Sequence, residues 1–147
     1  MSNIDLFVSK ALEKVGVPWV HQGRNSQYGL DCIGLIVNSM AEAGFEVWDD
    51  ATYRRRGDAG LLTRWLGDHA YPVIDWSTRQ TGDILVFGVD GLPYHAGILV
   101  EGKRTQILHA HQKRASGDYG GNVILMPLDG ILVKHFVGAY RLVKTKD

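Results

Sequence analysis

The chain has 147 residues, 45% of them apolar and 22% charged, with Lys+Arg and Asp+Glu balanced at 16 each. That length holds one well-buried core, and a formal charge of zero leaves no whole-chain field to gather nucleic acid or an anionic membrane. No run approaches the roughly 18 to 20 uninterrupted apolar residues that a membrane-spanning helix needs. Charges at Asp5, Lys10, Glu13 and Lys14 interrupt any leader-like apolar stretch, so the chain is expected to lack a signal peptide and to be made in the cytoplasm.

Ile4, Phe7, Val8, Ala11, Leu12 and Val15 recur at helical spacing before Gly16 and Pro18, which predicts a first amphipathic helix over 4–15. Residues 18–30 show neither a helical nor a strand period and read as a surface loop. Asp31 then stands where an N-cap belongs, and Ile33, Ile36, Val37 and Met40 follow at helical spacing until Gly44. Cys32 therefore falls in the first turn of a second helix. The next stretch carries Trp48, Trp65, Trp76 and the basic run Arg54, Arg55, Arg56, and is expected to be an inserted lid or docking segment at about 46–80. After Thr81 and Gly82 the pattern becomes β-branched, with strands expected at 83–87, 94–100, 105–111, 122–126 and 134–143. Eighteen glycines suit the tight turns that such short strands require. Helices first and sheet second give one α+β domain over 1–147, with an antiparallel sheet of about five strands.

Cys32 is the sole cysteine, which rules out an internal disulfide and a zinc ribbon. At a helix N-terminus a thiol meets unpaired backbone N–H groups and the positive end of the helix dipole, both of which favour thiolate. A thiol nucleophile also needs an imidazole base and a third group that fixes the base's other nitrogen. His95 opens one predicted strand, and His109 and His111 lie on the next. A hairpin about 101–104 brings His95 near His109 or His111, which period two places on one face, so both stay open as the orienting group. Cys32, His95, His109 and His111 also make a set of zinc-type donors, but nothing else in the chain has metal-site spacing, and neither metal nor cofactor is expected.

The ordered set Val17-Pro18-Trp19-Val20-His21-Gln22-Gly23, Asp31-Cys32-Ile33-Gly34-Leu35, Thr81-Gly82-Asp83-Ile84-Leu85-Val86-Phe87, His95-Ala96-Gly97-Ile98 and Ile107-Leu108-His109-Ala110 resembles the NlpC-type cell-wall cysteine peptidases. The resemblance implies a papain-like fold and hydrolysis of peptidoglycan stem peptides, often at the γ-D-glutamyl to diamino-acid bond. It implies Cys32 as nucleophile, His95 as general base and later acid, and His109 as third member of the triad. Trp19 stands where many relatives place an oxyanion-binding tyrosine. Ile33 stands where many relatives have a serine next to the nucleophile, which implies an apolar contact in place of a substrate hydrogen bond, either altering which stem is cut or simply packing the helix. Asp31 matches the family and is implied to meet a substrate amine as well as to cap its helix.

The long central segment, the His-Gln-Gly of the first loop and the expected lack of a leader resemble phage tail-tip members most. That subtype implies a protein carried in a virion tail to the bacterial wall, with a tail-tip or hub protein as partner and no membrane insertion. Two alternatives accompany this expectation: a structural tail protein whose peptidase site has decayed, and an amidase or acyltransferase using the same thiol.

Overall fold

The computed structural model describes residues 2–47, 64, 66–68, 70–90, 92–115 and 118–143. Helix α1 spans Asn3–Leu12 and begins in a reciprocal cap, Ser2 Oγ accepting from the Asp5 N–H at 3.0 Å while the Ser2 N–H donates to Asp5 Oδ2 at 3.2 Å. Phe7, Val8 and Ala11 form its buried stripe. Leu12 and Val15, expected on the same stripe, are exposed, because the helix ends at Leu12 and Gly16, at φ +99°, turns the chain away.

The loop expected over 18–30 is more ordered than its sequence suggested. Gly16 N–H donates to Val123 O, Val123 N–H to Val17 O and Trp19 N–H to Gly121 O, all at 2.8 to 2.9 Å, so this segment runs along a sheet edge. It then makes a small antiparallel pair, β1 (Arg24–Asn25) with β2 (Gly29–Leu30), and Leu30 is fully buried. Backbone pairing rather than side-chain period holds the loop, which explains why the period gave no sign of it.

Helix α2 spans Cys32–Glu42 behind Asp31, whose Oδ1 accepts from the Gly34 N–H at 2.8 Å. Leu35, Ile36 and Met40 are buried against α1 and the sheet, and Gly44 closes the element at φ +84°.

The remaining strands are β3 (Ala70–Pro72), β4 (Ile84–Val89), β5 (Leu92–Glu101), β6 (Thr105–Ala115), β7 (Asp118–Pro127) and β8 (Phe136–Leu142). They form one sheet in the order β3-β8-β4-β5-β6-β7, with every pairing antiparallel. The sheet thus has six strands instead of about five, the additional one being β3, which lies within the stretch read as an insertion. Of the other residues singled out there, Trp76 begins a short 3-10 turn over Trp76–Thr78, and Trp48, Arg54, Arg55, Arg56 and Trp65 lie outside the described residues. The strand expected over 134–143 starts later, because Gly130–Lys134 forms a short helix, α3, before β8.

Strand alternation divides the core into two layers. Ile84, Val86, Ala96, Ile98, Leu108 and Ala110 pack with α1 and α2. Leu85, Phe87, Leu99 and Ile107 pack on the opposite face, where Met126, Leu128 and Leu132 cover them. Ahead of β4, buried Asp83 takes two hydrogen bonds from Arg141 and one from the Gln80 N–H, at 2.8 to 2.9 Å, which pins the 80–83 turn to β8. Among the described residues no helix is long and apolar enough to cross a membrane.

Candidate active site

The β5–β6 register runs from Glu101↔Thr105 to Ile98↔Leu108. Short of Ile98, β5 keeps its pairing with β4 through Ala96 and His95, and the N-terminus of α2 approaches it there. The Cys32 sulfur accepts from the backbone N–H groups of Ala96 and Ile33. Burial nevertheless pushes the thiol up to about 12, helped by the adjacent Asp31 carboxylate and only partly offset by those two N–H groups and Arg24. The expectation that the helix terminus would hold Cys32 as thiolate is therefore corrected: desolvation and a neighbouring carboxylate outweigh the helix end, and the resting sulfur carries its proton.

His95 lies on the face of the sheet opposite α2, between the rings of Phe87 at 6.0 Å and Tyr94 at 6.5 Å. Its Nε2 is 2.8 Å from Nδ1 of His109, with the two rings nearly perpendicular. Burial lowers His95 to about 3, with His109 and His111 adding to the effect, and lowers His109 to about 4, with His111 contributing. Both imidazoles are neutral at pH 7. A straight continuation of the register would set His111 opposite His95, but the hydrogen bond goes to His109. His111 is exposed, its ring 5.4 Å from that of His109. Gly97 makes this arrangement possible, since a Cβ there would stand 2.6 Å from Ile107 Cδ1 and 3.0 Å from His109 Cβ.

Asp31 is almost wholly buried and already heavily engaged. Its Oδ1 accepts from Gly34 N–H and from Arg24 Nη1 at 3.0 Å, and its Oδ2 accepts from Gln22 N–H at 3.0 Å. Any substrate amine meeting this carboxylate competes with Arg24. Ile33 and Trp19 are both partly buried against the helix-side core, and the Trp19 ring stacks on His21 at 6.5 Å. Behind His95, Phe87 forms one wall of an apolar pocket of about 270 Å³ completed by Trp76, Leu128, Val133 and Phe136. Among the described residues no group of three or more His, Cys, Asp or Glu side chains gathers as a metal site.

Arg24 and Met126 are the neighbours that sequence reasoning missed. Arg24 sits seven residues before its partner in a loop without period, and Met126 reaches the site only through the β6–β7 pairing, in which it stands opposite Ile107. Nothing local in the sequence marks either.

A helix-borne thiol bonded to the backbone of Ala96, and at the preceding residue an imidazole bonded to a second imidazole, are the kinds of group that thiol-dependent acyl transfer uses. Residues 16–126 match the NlpC/P60 family model, and the chain belongs to that family. The fold is shared with an NLP/P60 family protein similar to a lipoprotein from Staphylococcus aureus (22% identity, TM-score 0.68, 97% of this chain and 42% of that one). It is shared also with the NlpC/p60 domain of the peptidoglycan hydrolase SagA (20% identity, TM-score 0.54, 95% and 97%). RipD from Mycobacterium tuberculosis, described as a non-catalytic NlpC/p60 protein adapted to peptidoglycan binding, matches as well (17% identity, TM-score 0.60, 97% and 98%). The chain thus spans less than half of the staphylococcal protein. None of the curated proteins matches it by sequence.

Proposed function

We propose that the chain is a cysteine endopeptidase that hydrolyses peptidoglycan stem peptides, with Cys32 as nucleophile, His95 as base and acid, and His109 as the group that orients His95. The observation that carries this reading is the 2.8 Å bond between His95 Nε2 and His109 Nδ1, which leaves Nδ1 as the ring nitrogen of His95 available for proton transfer. In the cycle, Nδ1 of His95 takes the proton from Cys32 as the sulfur attacks the amide carbonyl. Backbone N–H groups at the start of α2, including that of Cys32, suit the developing oxyanion. The protonated His95 then passes its proton to the departing amine, and a water molecule, deprotonated by His95, hydrolyses the thioester to release the acid, His95 returning that proton to the departing Cys32 sulfur. Proton transfer within the reacting complex fits a thiol that is neutral at rest.

The γ-D-glutamyl to diamino-acid bond is the target that the family resemblance favours, and a phage tail tip is the carrier that the first-loop and central-segment features favour. In that setting the chain is made in the host cytoplasm, travels in the virion tail with a tail-tip or hub partner, and acts at the wall. The deciding experiment incubates purified muropeptides with wild-type and Cys32→Ala protein and reads the products by mass spectrometry. Cleavage by wild type alone supports the peptidase and identifies the bond. Intact muropeptides with both proteins, together with retention of wild-type protein on peptidoglycan sacculi, would instead support a binding protein like the non-catalytic relative.

A further inference from the structure

The imidazole chain does not end at His109. Nε2 of His109 lies 3.3 Å from Sδ of Met126, which reaches it diagonally across the β6–β7 pair from the position opposite Ile107. A thioether sulfur has no proton to give and can only accept. His109, neutral at pH 7 and almost wholly buried, must therefore carry its proton on Nε2, leaving Nδ1 as an acceptor. His95 Nε2 then has to be the donor in the 2.8 Å contact, and Nδ1 of His95 is left with a lone pair. The polarity of the whole relay is set at its far end. We infer that Met126 is a positioning residue: its sulfur fixes the His109 tautomer and, through His109, keeps Nδ1 of His95 unprotonated and ready to take the Cys32 proton. The inference rests on the reading of His95 as the base, yet its structural half stands independently of turnover.

Replacing Met126 with leucine keeps apolar bulk but removes the acceptor. His109 can then place its proton on Nδ1 and donate to His95, which drives the His95 proton to Nδ1, the wrong nitrogen for a base facing Cys32. Long-range 15N NMR of the imidazoles in the full chain at pH 7 reads both tautomers directly. Wild type is expected to show Nε2–H for His95 and His109. Met126→Leu is expected to show mixed tautomers at both rings and about a fivefold to tenfold fall in kcat on muropeptides with KM unchanged. Met126→Gln, whose side-chain oxygen accepts from Nε2–H, is expected to recover both the tautomers and most of the rate.

Wild-type His109 protonated on Nδ1 would overturn the inference without any variant. So would wild-type tautomers in Met126→Leu, or equal losses in the leucine and glutamine variants with unchanged tautomers, which would reduce Met126 to packing. Should the wild-type protein cleave no muropeptide, the proposed activity fails, while the NMR arm still decides whether Met126 sets the relay.

Discussion

Lowering the pH from 7 to 5 should destabilise this protein through two residues. An unfolded histidine titrates near 6.5, whereas burial holds His95 at about 3 and His109 at about 4 in the folded chain. Between these limits the unfolded state binds more protons than the native one, so stability is fully present above about pH 6.5 and drains away as pH falls toward the folded values. pH 5 lies about 1.5 units below the unfolded value and still above both folded ones, which corresponds to about 2 kcal/mol per histidine and about 4 kcal/mol for the pair. For a domain of this size that amounts to a drop of about 8 to 16 °C in Tm. The exposed carboxylates held low by local hydrogen bonds, Asp5 and Asp75, begin to titrate beneath this window and do not blur it. Urea unfolding followed by tryptophan fluorescence at pH 5, 6 and 7 measures the effect. In His109→Gln, which removes one titrating ring, the slope should fall by about half. A stability that stays level from pH 7 to 5, or a slope that His109→Gln leaves unaltered, would refute the burial argument.

Two further outcomes follow from the thiol and its neighbour. At pH 8, alkylation of Cys32 by iodoacetamide should run about a thousandfold slower than for a thiol with an ordinary value of 9.0, because the folded thiol is pushed up to about 12; rapid labelling at pH 6, read by intact mass, would contradict this. Asp31→Asn keeps the side chain's shape but removes the carboxylate charge that faces Arg24 at 3.0 Å and should lower stability by about 2 to 4 kcal/mol in urea titrations while speeding Cys32 alkylation, since the neighbouring carboxylate is one cause of the raised thiol.

The parts of the site that depend on local rules were readable in the sequence. Asp31 caps α2 and Cys32 begins it, as the N-cap and helical spacing imply, and the β5–β6 turn brings His95 toward the following strand. Choosing between His109 and His111 was beyond period two, since both occupy one face and the choice is made where β5 loses its register with β6. Strand β3 was invisible for a related reason: three residues ending in proline carry no period, and only pairing with β8 makes them a strand. The expected thiolate failed because a helix terminus is one contribution among several, and burial, which a sequence does not display, opposed it. Met126 is the extreme case, a side chain whose importance arises from an acceptor atom delivered across a strand pair.

The division of the core into two layers has a consequence for when the site exists at all. The thiol is delivered by the helices on one face of the sheet, whereas both imidazoles and Met126 belong to the other, and Ala96, where β5 has parted from β6, is where the thiol meets the sheet. On the proposed roles, a chain in which only the helical layer has formed owns a nucleophile without a base, and one with only the opposite layer has a base with nothing to activate. The proposed competence therefore requires both layers to have closed on the same sheet, as a property of the completed molecule. On that reading a threaded or half-assembled form is latent, and folding itself acts as the safety catch.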